Sequence, residues 1–200
     1  FQYGIFLPIF RSHGTDTPRE IWRFGVPGEP IYVSLVKFLK LRYRLLPYIY
    51  SLAGQVTQAD YTILRMLPFD FREDPKTYGI RDQFMFGPSF LVCPVTHPMY
   101  YGPNSTPLPS AEKTRAVYLP AGSDWFDFWT DQCYSGGQTV FANASIDTMP
   151  LFVHSGSILP LGPEIQYAEQ TVDAVLVLKI YTGCNGHFTL YEDEADNYNY

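Results

Sequence analysis

Phe90-Leu91-Val92-Cys93-Pro94-Val95 marks the point at which the chain changes character. It is a short apolar run bounded by turn residues, and no stretch of helical period follows it. Residues 116–120 and 125–129 are runs of the same kind, punctuated by Gly, Pro and Asn, and further strands are expected at 138–142, 149–153, 157–161, 172–181 and 187–191. This spacing predicts an antiparallel sandwich or a pair of them. Residues 100–113, with Gly102, Pro103, Pro107 and Pro109, read as a loop insertion.

Upstream of residue 90 the pattern differs. Phe1, Tyr3, Ile5, Phe6, Leu7, Ile9 and Phe10 form a near-continuous apolar run, as in a strand buried on both faces and already in progress. A loop rich in Gly, Pro and charge follows, from residue 14 to 30. Leu35, Phe38, Leu39, Leu45, Leu46, Ile49, Leu52 and Ala53 then repeat at helical spacing, which predicts one long helix over 31–57, kinked at Pro47 and covered on two sides. Residues 62–71 read as a strand and 81–87 as a short helix closed by Gly87-Pro88. The acidic end, Glu192-Asp193-Glu194-Ala195-Asp196, reads as a turn entering another strand, so truncation is expected at both ends.

Two hundred residues, 46% hydrophobic and 17% charged, suffice for a substantial core, so the chain is globular rather than disordered. The formal net charge of −6, with 14 scattered basic residues, argues against nucleic acid. No apolar run is long enough to span a bilayer. Cys93, Cys133 and Cys184 are odd in number and widely spaced, which fits neither a disulfide framework nor a zinc site. Two glycosylation sequons, at Asn104 and Asn143, have meaning only in a eukaryotic secretory protein.

The strongest local signal for chemistry is Phe10-Arg11-Ser12-His13-Gly14, where polar residues emerge at the end of an apolar run and before a Gly-containing loop. In parallel βα folds that edge is where sites are built. His13 could donate or accept a hydrogen bond to a sugar hydroxyl, or it could be structural. Glycoside hydrolysis needs two carboxylates, about 5–5.5 Å apart for retention. Asp16 and Glu20 read as solvated loop charges beside Arg19 and Arg23, and Asp70, Glu73 and Asp74 as a polar turn. The cluster of Glu192, Asp193, Glu194 and Asp196 is an acidic turn whose spacing does not fit an EF-hand, so no metal site is expected. Trp125, Asp127 and Trp129 alternate with Phe126 and Phe128, so the tryptophan face either packs in the interior or forms a sugar-stacking platform. No Ser-His-Asp order, phosphate loop or HExxH motif occurs.

Phe10-Arg11-Ser12-His13-Gly14, Leu41-Arg42-Tyr43-Arg44-Leu45-Leu46-Pro47-Tyr48-Ile49-Tyr50 and Asp82-Gln83-Phe84-Met85-Phe86-Gly87 together resemble glycoside hydrolase family 31, mainly α-glucosidases and α-xylosidases. Val117-Tyr118-Leu119-Pro120, Pro150-Leu151-Phe152-Val153, Gly156-Ser157-Ile158-Leu159-Pro160 and Leu190-Tyr191-Glu192-Asp193 extend the likeness. The fold it implies is α/β then all-β: the last quarter of a (β/α)8 barrel over 1–89, a proximal C-terminal β domain over 90–165, and the start of a distal one over 166–200. The resemblance also implies a retaining α-glycosidase whose nucleophile and acid/base aspartates lie on earlier barrel strands, so no catalytic residue is assigned in this chain. His13 matches the family's sugar-binding histidine, with Arg11 supporting it. Pro18-Arg19-Glu20-Ile21-Trp22-Arg23-Phe24-Gly25 looks closer to the α-xylosidase branch. The expected partner is an oligosaccharide, with no cofactor, and that substrate suits a periplasmic or extracellular setting. A non-catalytic carbohydrate-binding or structural β module, with Trp125 and Trp129 facing solvent, is the competing expectation.

Overall fold

The computed structural model describes residues 1–109, 112–168, 170, 175–194, 197 and 198. Two helices, α1 (Pro30–Arg44) and α2 (Leu46–Ala59), lead into β1 (Leu64–Met66) and the one-turn helix α3 (Leu67–Asp70). Then come β2 (Phe84–Phe86), β3 (Phe90–Val92), β4 (Thr114–Leu119), β5 (Asp124–Asp127), β6 (Cys133–Ser135), β7 (Gln138–Asn143), β8 (Leu151–His154), β9 (Ile158–Leu161) and β10 (Val177–Ile180). Six strands form one sheet in the order β1-β2-β3-β8-β5-β6, while β4 pairs β7 and β9 pairs β10. Every pairing is antiparallel, as the sandwich reading expects.

The inner strands of the six-stranded sheet are covered on both faces, and their side chains sort by the period of two. Phe86, Phe90, Val92, Leu151 and Val153 face a core shared with Phe38, Leu45, Tyr48 and Leu52 of the helices and Leu159 and Leu161 of β9. Met85, Leu91, Trp125 and Phe152 face the opposite way, onto Val117, Leu119 and Ala142 of the β4–β7 pair.

The single kinked helix expected over 31–57 is two helices. Pro47 has no N–H to give one turn back, and the break falls at Leu45, whose ψ is 0°. The Arg44 carbonyl at this break accepts from the Gly162 N–H at 2.7 Å. Pro30 opens α1, where a missing N–H costs nothing, and Arg42 and Arg44 occupy its last turn, where positive charge suits the helix dipole.

Three further expectations are corrected. Residues 1–10 form no strand. A 3-10 turn at Tyr3–Phe6 buries Ile5 and Phe6 completely, and the freed carbonyls of Ile5, Leu7 and Pro8 accept from the Arg42 guanidinium. An apolar run reports burial, and burial here needs no ladder. Residues 81–87 are not a helix but contain β2, because Phe84 and Phe86 point into one core and Met85 into the other. Gln83 stitches this segment to β4: its Nε2 donates to the Tyr118 carbonyl at 2.7 Å and its Oε1 accepts from the Tyr118 N–H at 2.9 Å. The strand expected over 62–71 ends at Met66, where Pro68 starts α3.

Toward the C-terminus, the strand expected over 172–181 is β10, with 172–174 lying outside the described residues. Residues 187–191 make no strand. Phe188 stacks on Tyr48 at 5.6 Å, and the Tyr191 N–H donates to Ser51 Oγ at 3.0 Å, so side-chain packing on α2 takes the place of a ladder. Of the loop at 100–113, residues 110 and 111 lie outside the described residues, as do 195 and 196 of the acidic turn.

Candidate functional site

His13 sits on a fully exposed segment, residues 11–20, that leaves the core at Phe10. The Arg11 Nη2 lies 2.6 Å from His13 Nδ1. A guanidinium only donates, so Nδ1 is the acceptor, and the neutral ring carries its proton on Nε2. That Nε2–H can donate to Thr15 Oγ1 at 3.2 Å. The ring is therefore fixed in orientation and tautomer by residues two positions either side of it, with both ring nitrogens engaged. Ser12 Oγ donates to the Arg19 carbonyl at 3.3 Å, and a Cβ at Gly14 would strike the Thr17 carbonyl oxygen, so the return of the chain depends on glycine there.

The carboxylates fall into different environments. Glu20 is a surface charge 3.9 Å from Arg23. Asp70 forms a two-pronged pair with Arg65, with Oδ1 3.0 Å from Nη2 and Oδ2 3.1 Å from Nε. Burial pushes the Asp70 carboxyl up, with Arg65 opposing. Asp74 lies in a polar turn, as expected, but is buried there. It is 7% exposed and accepts from the Tyr118 hydroxyl at 2.7 Å, the Ala121 N–H at 2.8 Å and the Lys76 N–H at 3.2 Å. Burial alone would raise its pKa, but the hydrogen bonds from Ala121, Tyr118 and Lys76 outweigh burial and hold the carboxyl below the usual range. It clasps the 71–79 loop to the end of β4 and performs no chemistry visible in its surroundings.

Trp125 is fully buried, and its Nε1–H donates to the Pro120 carbonyl at 2.9 Å. Trp129 leaves the alternation because Asp127 Oδ1 accepts from the backbone N–H groups of Trp129 and Thr130, which turns the chain and ends β5. Its ring then packs on Phe38 at 5.7 Å and donates through Nε1–H to the Met149 carbonyl at 2.8 Å. Trp125 thus offers no stacking platform, and the partly buried Trp129 ring carries the Lys37 ammonium over it at 4.4 Å. Asp193 accepts from the hydroxyls of Tyr50 at 2.6 Å and Tyr191 at 2.9 Å, so it joins the C-terminal segment to α2. The sequence reading passed over His154. Its signal is its place two residues after Phe152, on a face of β8 that the same strand buries.

Residues 1–52 match the glycosyl hydrolases family 31 TIM-barrel domain, and residues 60–159 match the glycosyl hydrolase family 31 C-terminal domain. The chain belongs to glycoside hydrolase family 31, and its fold is the end of that family's barrel followed by antiparallel β structure. It is 45% identical to an α-xylosidase of Saccharolobus solfataricus over all of this chain and 25% of that protein. It is 30% identical to α-glucosidase 2 of Bacillus thermoamyloliquefaciens over all of this chain and 24% of that one. Among solved structures, the family 31 α-xylosidase of Xanthomonas citri superimposes with a TM-score of 0.87 at 49% identity, over 97% of this chain and 20% of that one. The chain thus spans a quarter or less of the length of these relatives. Among the described residues, no helix is long and apolar enough to cross a membrane.

Proposed function

We propose that this chain is part of a retaining α-glycosidase that removes terminal α-xylosyl residues from oligosaccharides, α-glucosyl residues being the second choice. The observation that carries the reading is likeness along the whole chain to proteins named α-xylosidases, at 45% and 49% identity, against 30% for the α-glucosidase. In this reading His13 exchanges the Thr15 partner of its Nε2–H for a hydroxyl of the sugar at the cleavage position, and Arg11 acts as a positioning residue by occupying Nδ1. A fixed tautomer gives the histidine a defined role as donor, which a freely rotating ring would lack.

The two catalytic aspartates are proposed to lie in other parts of the barrel, so the 200 residues alone bind and support but do not turn over substrate. The junction between barrel and β domain belongs to the same reading. The hairpin of β1 and β2 continues into β3, which favours a junction between Ala59 and Leu64, upstream of residue 89.

The test is release of p-nitrophenol from the α-xyloside and the α-glucoside by the intact protein, with the 200-residue chain measured alongside. Preference for the xyloside, silence of the chain alone and an α-configured first product by NMR support the reading. Turnover by the chain alone, or a β-configured first product, overturns it.

A further inference from the structure

On the face of the six-stranded sheet turned away from α1 and α2, β8 ends at His154. The ring stands edge-on to Trp125 at 5.2 Å and 90°, with Phe71 at 6.4 Å. Its Nδ1 is 2.7 Å from the Ser155 carbonyl, which can only accept, so Nδ1 carries the proton and the neutral ring keeps Nε2 as an acceptor. Burial holds the His154 pKa below its ordinary value, with the Ser155 carbonyl and Asp70 pulling the other way, so the ring is neutral near pH 7.

His154 lines a cleft of ≈ 550 Å³ together with Phe69, Asp70, Arg72, Glu73 and Gly122. The size suits a small ligand. The wall is organised in advance: Arg65 is held by both Asp70 oxygens and lies over the rings of Tyr61 at 5.1 Å and Phe69 at 5.6 Å. Each Asp70 oxygen therefore uses one lone pair on Arg65 and keeps another. The cleft thus offers acceptors at Asp70 and His154, guanidinium donors at Arg72 and an apolar edge at Phe69, whose side is 56% exposed.

The balance of charge selects the ligand. An anion such as phosphate would meet Asp70, Glu73 and Asp74, and a metal ion would meet Arg72 and compete with Arg65 for Asp70. A neutral polyhydroxylated ring has hydroxyls that donate to the carboxylate and imidazole, accept from the guanidinium, and leave C–H faces for phenylalanine. We propose that this cleft binds a neutral pyranose unit of an oligosaccharide, at a site that includes neither Arg11 nor His13. The face it occupies makes this physical: the residues leading to His13 pack on the opposite side of the sheet, with Ile5 and Phe6 in the helix-side core.

The experiment is affinity electrophoresis of the intact protein in gels holding xyloglucan or soluble starch, with inorganic phosphate as a control competitor. Arg72→Ala and Asp70→Asn are each expected to weaken retention about tenfold, the effect of one charge-assisted hydrogen bond. Melting temperature serves as the check on folding, and Asp70→Asn keeps the shape if Arg72→Ala perturbs the loop. Phosphate is expected not to release the protein. Failure of the unmodified protein to be retained, unchanged retention of both folded variants, or release by phosphate overturns the proposal. Turnover of p-nitrophenyl α-xyloside, where present, is expected to stay unchanged in both variants, so a fall in turnover matching the fall in retention also overturns it. Absence of turnover in the unmodified protein would sink the α-glycosidase reading and leave the retention test intact.

Discussion

The Asp74 carboxylate accepts three hydrogen bonds at a site almost closed to water, and two of its donors, Tyr118 and Ala121, come from the end of β4 and the turn that follows it. Burial and the Asp74 carboxylate together push the Tyr118 phenol up to about 12. Replacing Asp74 with Ala strands both donors and is expected to cost about 2–3 kcal/mol in a urea unfolding series. Because the folded carboxyl titrates below the unfolded one, its contribution is complete above the unfolded pKa of about 4 and is lost as pH falls through the folded value. The melting temperature of the unmodified chain should therefore fall more steeply with acid than that of Asp74→Asn. At His13 the expectation is different in kind. The side chain is exposed, so His13→Ala should leave the melting temperature unchanged while lowering kcat/KM of the intact protein about tenfold to a hundredfold. Arg11→Lys, which keeps charge but not the planar donor, should give a smaller loss that grows where the histidine tautomer is free to change.

Among the elements, the turn joining β2 and β3 leaves no room for a side chain at its first residue. Gly87 has φ +62°, and a Cβ there would meet the Tyr48 hydroxyl and Leu52 methyl carbons at 2.8 and 2.9 Å. Tyr48 in turn donates to the Phe86 carbonyl at 3.0 Å and accepts from the Ser89 N–H at 3.3 Å, so one phenol on α2 holds both sides of the hairpin. Gly87→Ala should destabilise by about 3 kcal/mol or more, and Tyr48→Phe by about 1–2 kcal/mol, both read from urea midpoints. Of the strands from residue 114 onward, β4, β5 and β7 to β10 could be located in the sequence because each is a short run rich in β-branched, aliphatic or aromatic residues, whereas β6, three residues with one aromatic, could not. β2 was missed because its two buried faces leave no polar alternation to count, and three residues are too few to separate periods of 2 and 3.6. The N-terminal segment misled for the same reason: complete burial of Ile5 and Phe6 needs apolar residues, whatever the backbone does. In the candidate site, His13 and Arg11 are two residues apart, so their pairing is local in the sequence. The partners of Asp74 and the surroundings of His154 are set by residues 44 to 84 positions away, such as Tyr118 and Asp70, and no local pattern encodes them.

At the scale of the whole molecule, apolar side chains remain uncovered along the N-terminal segment and α1. Ile9 is 79% exposed, Trp22 65% and Val26 60%, with Phe24, Ile31 and Val33 between 41% and 49%. Exposed apolar side chains in this number on an isolated chain promote association. Size-exclusion chromatography of the 200 residues should show concentration-dependent oligomers, and Trp22→Ser with Ile9→Ser should shift the profile toward monomer. A clean monomer before substitution would contradict this. The sheet itself carries a different consequence. β3 is paired on both sides, by β2 and β8, and Phe90, Leu91 and Val92 are wholly buried on both faces. No partial opening reaches its amides, so their deuterium uptake should wait for loss of the entire structure, while β6 and β10 at the margins exchange through small excursions. The amides of β3 would then act as a clock for global unfolding, readable one residue at a time.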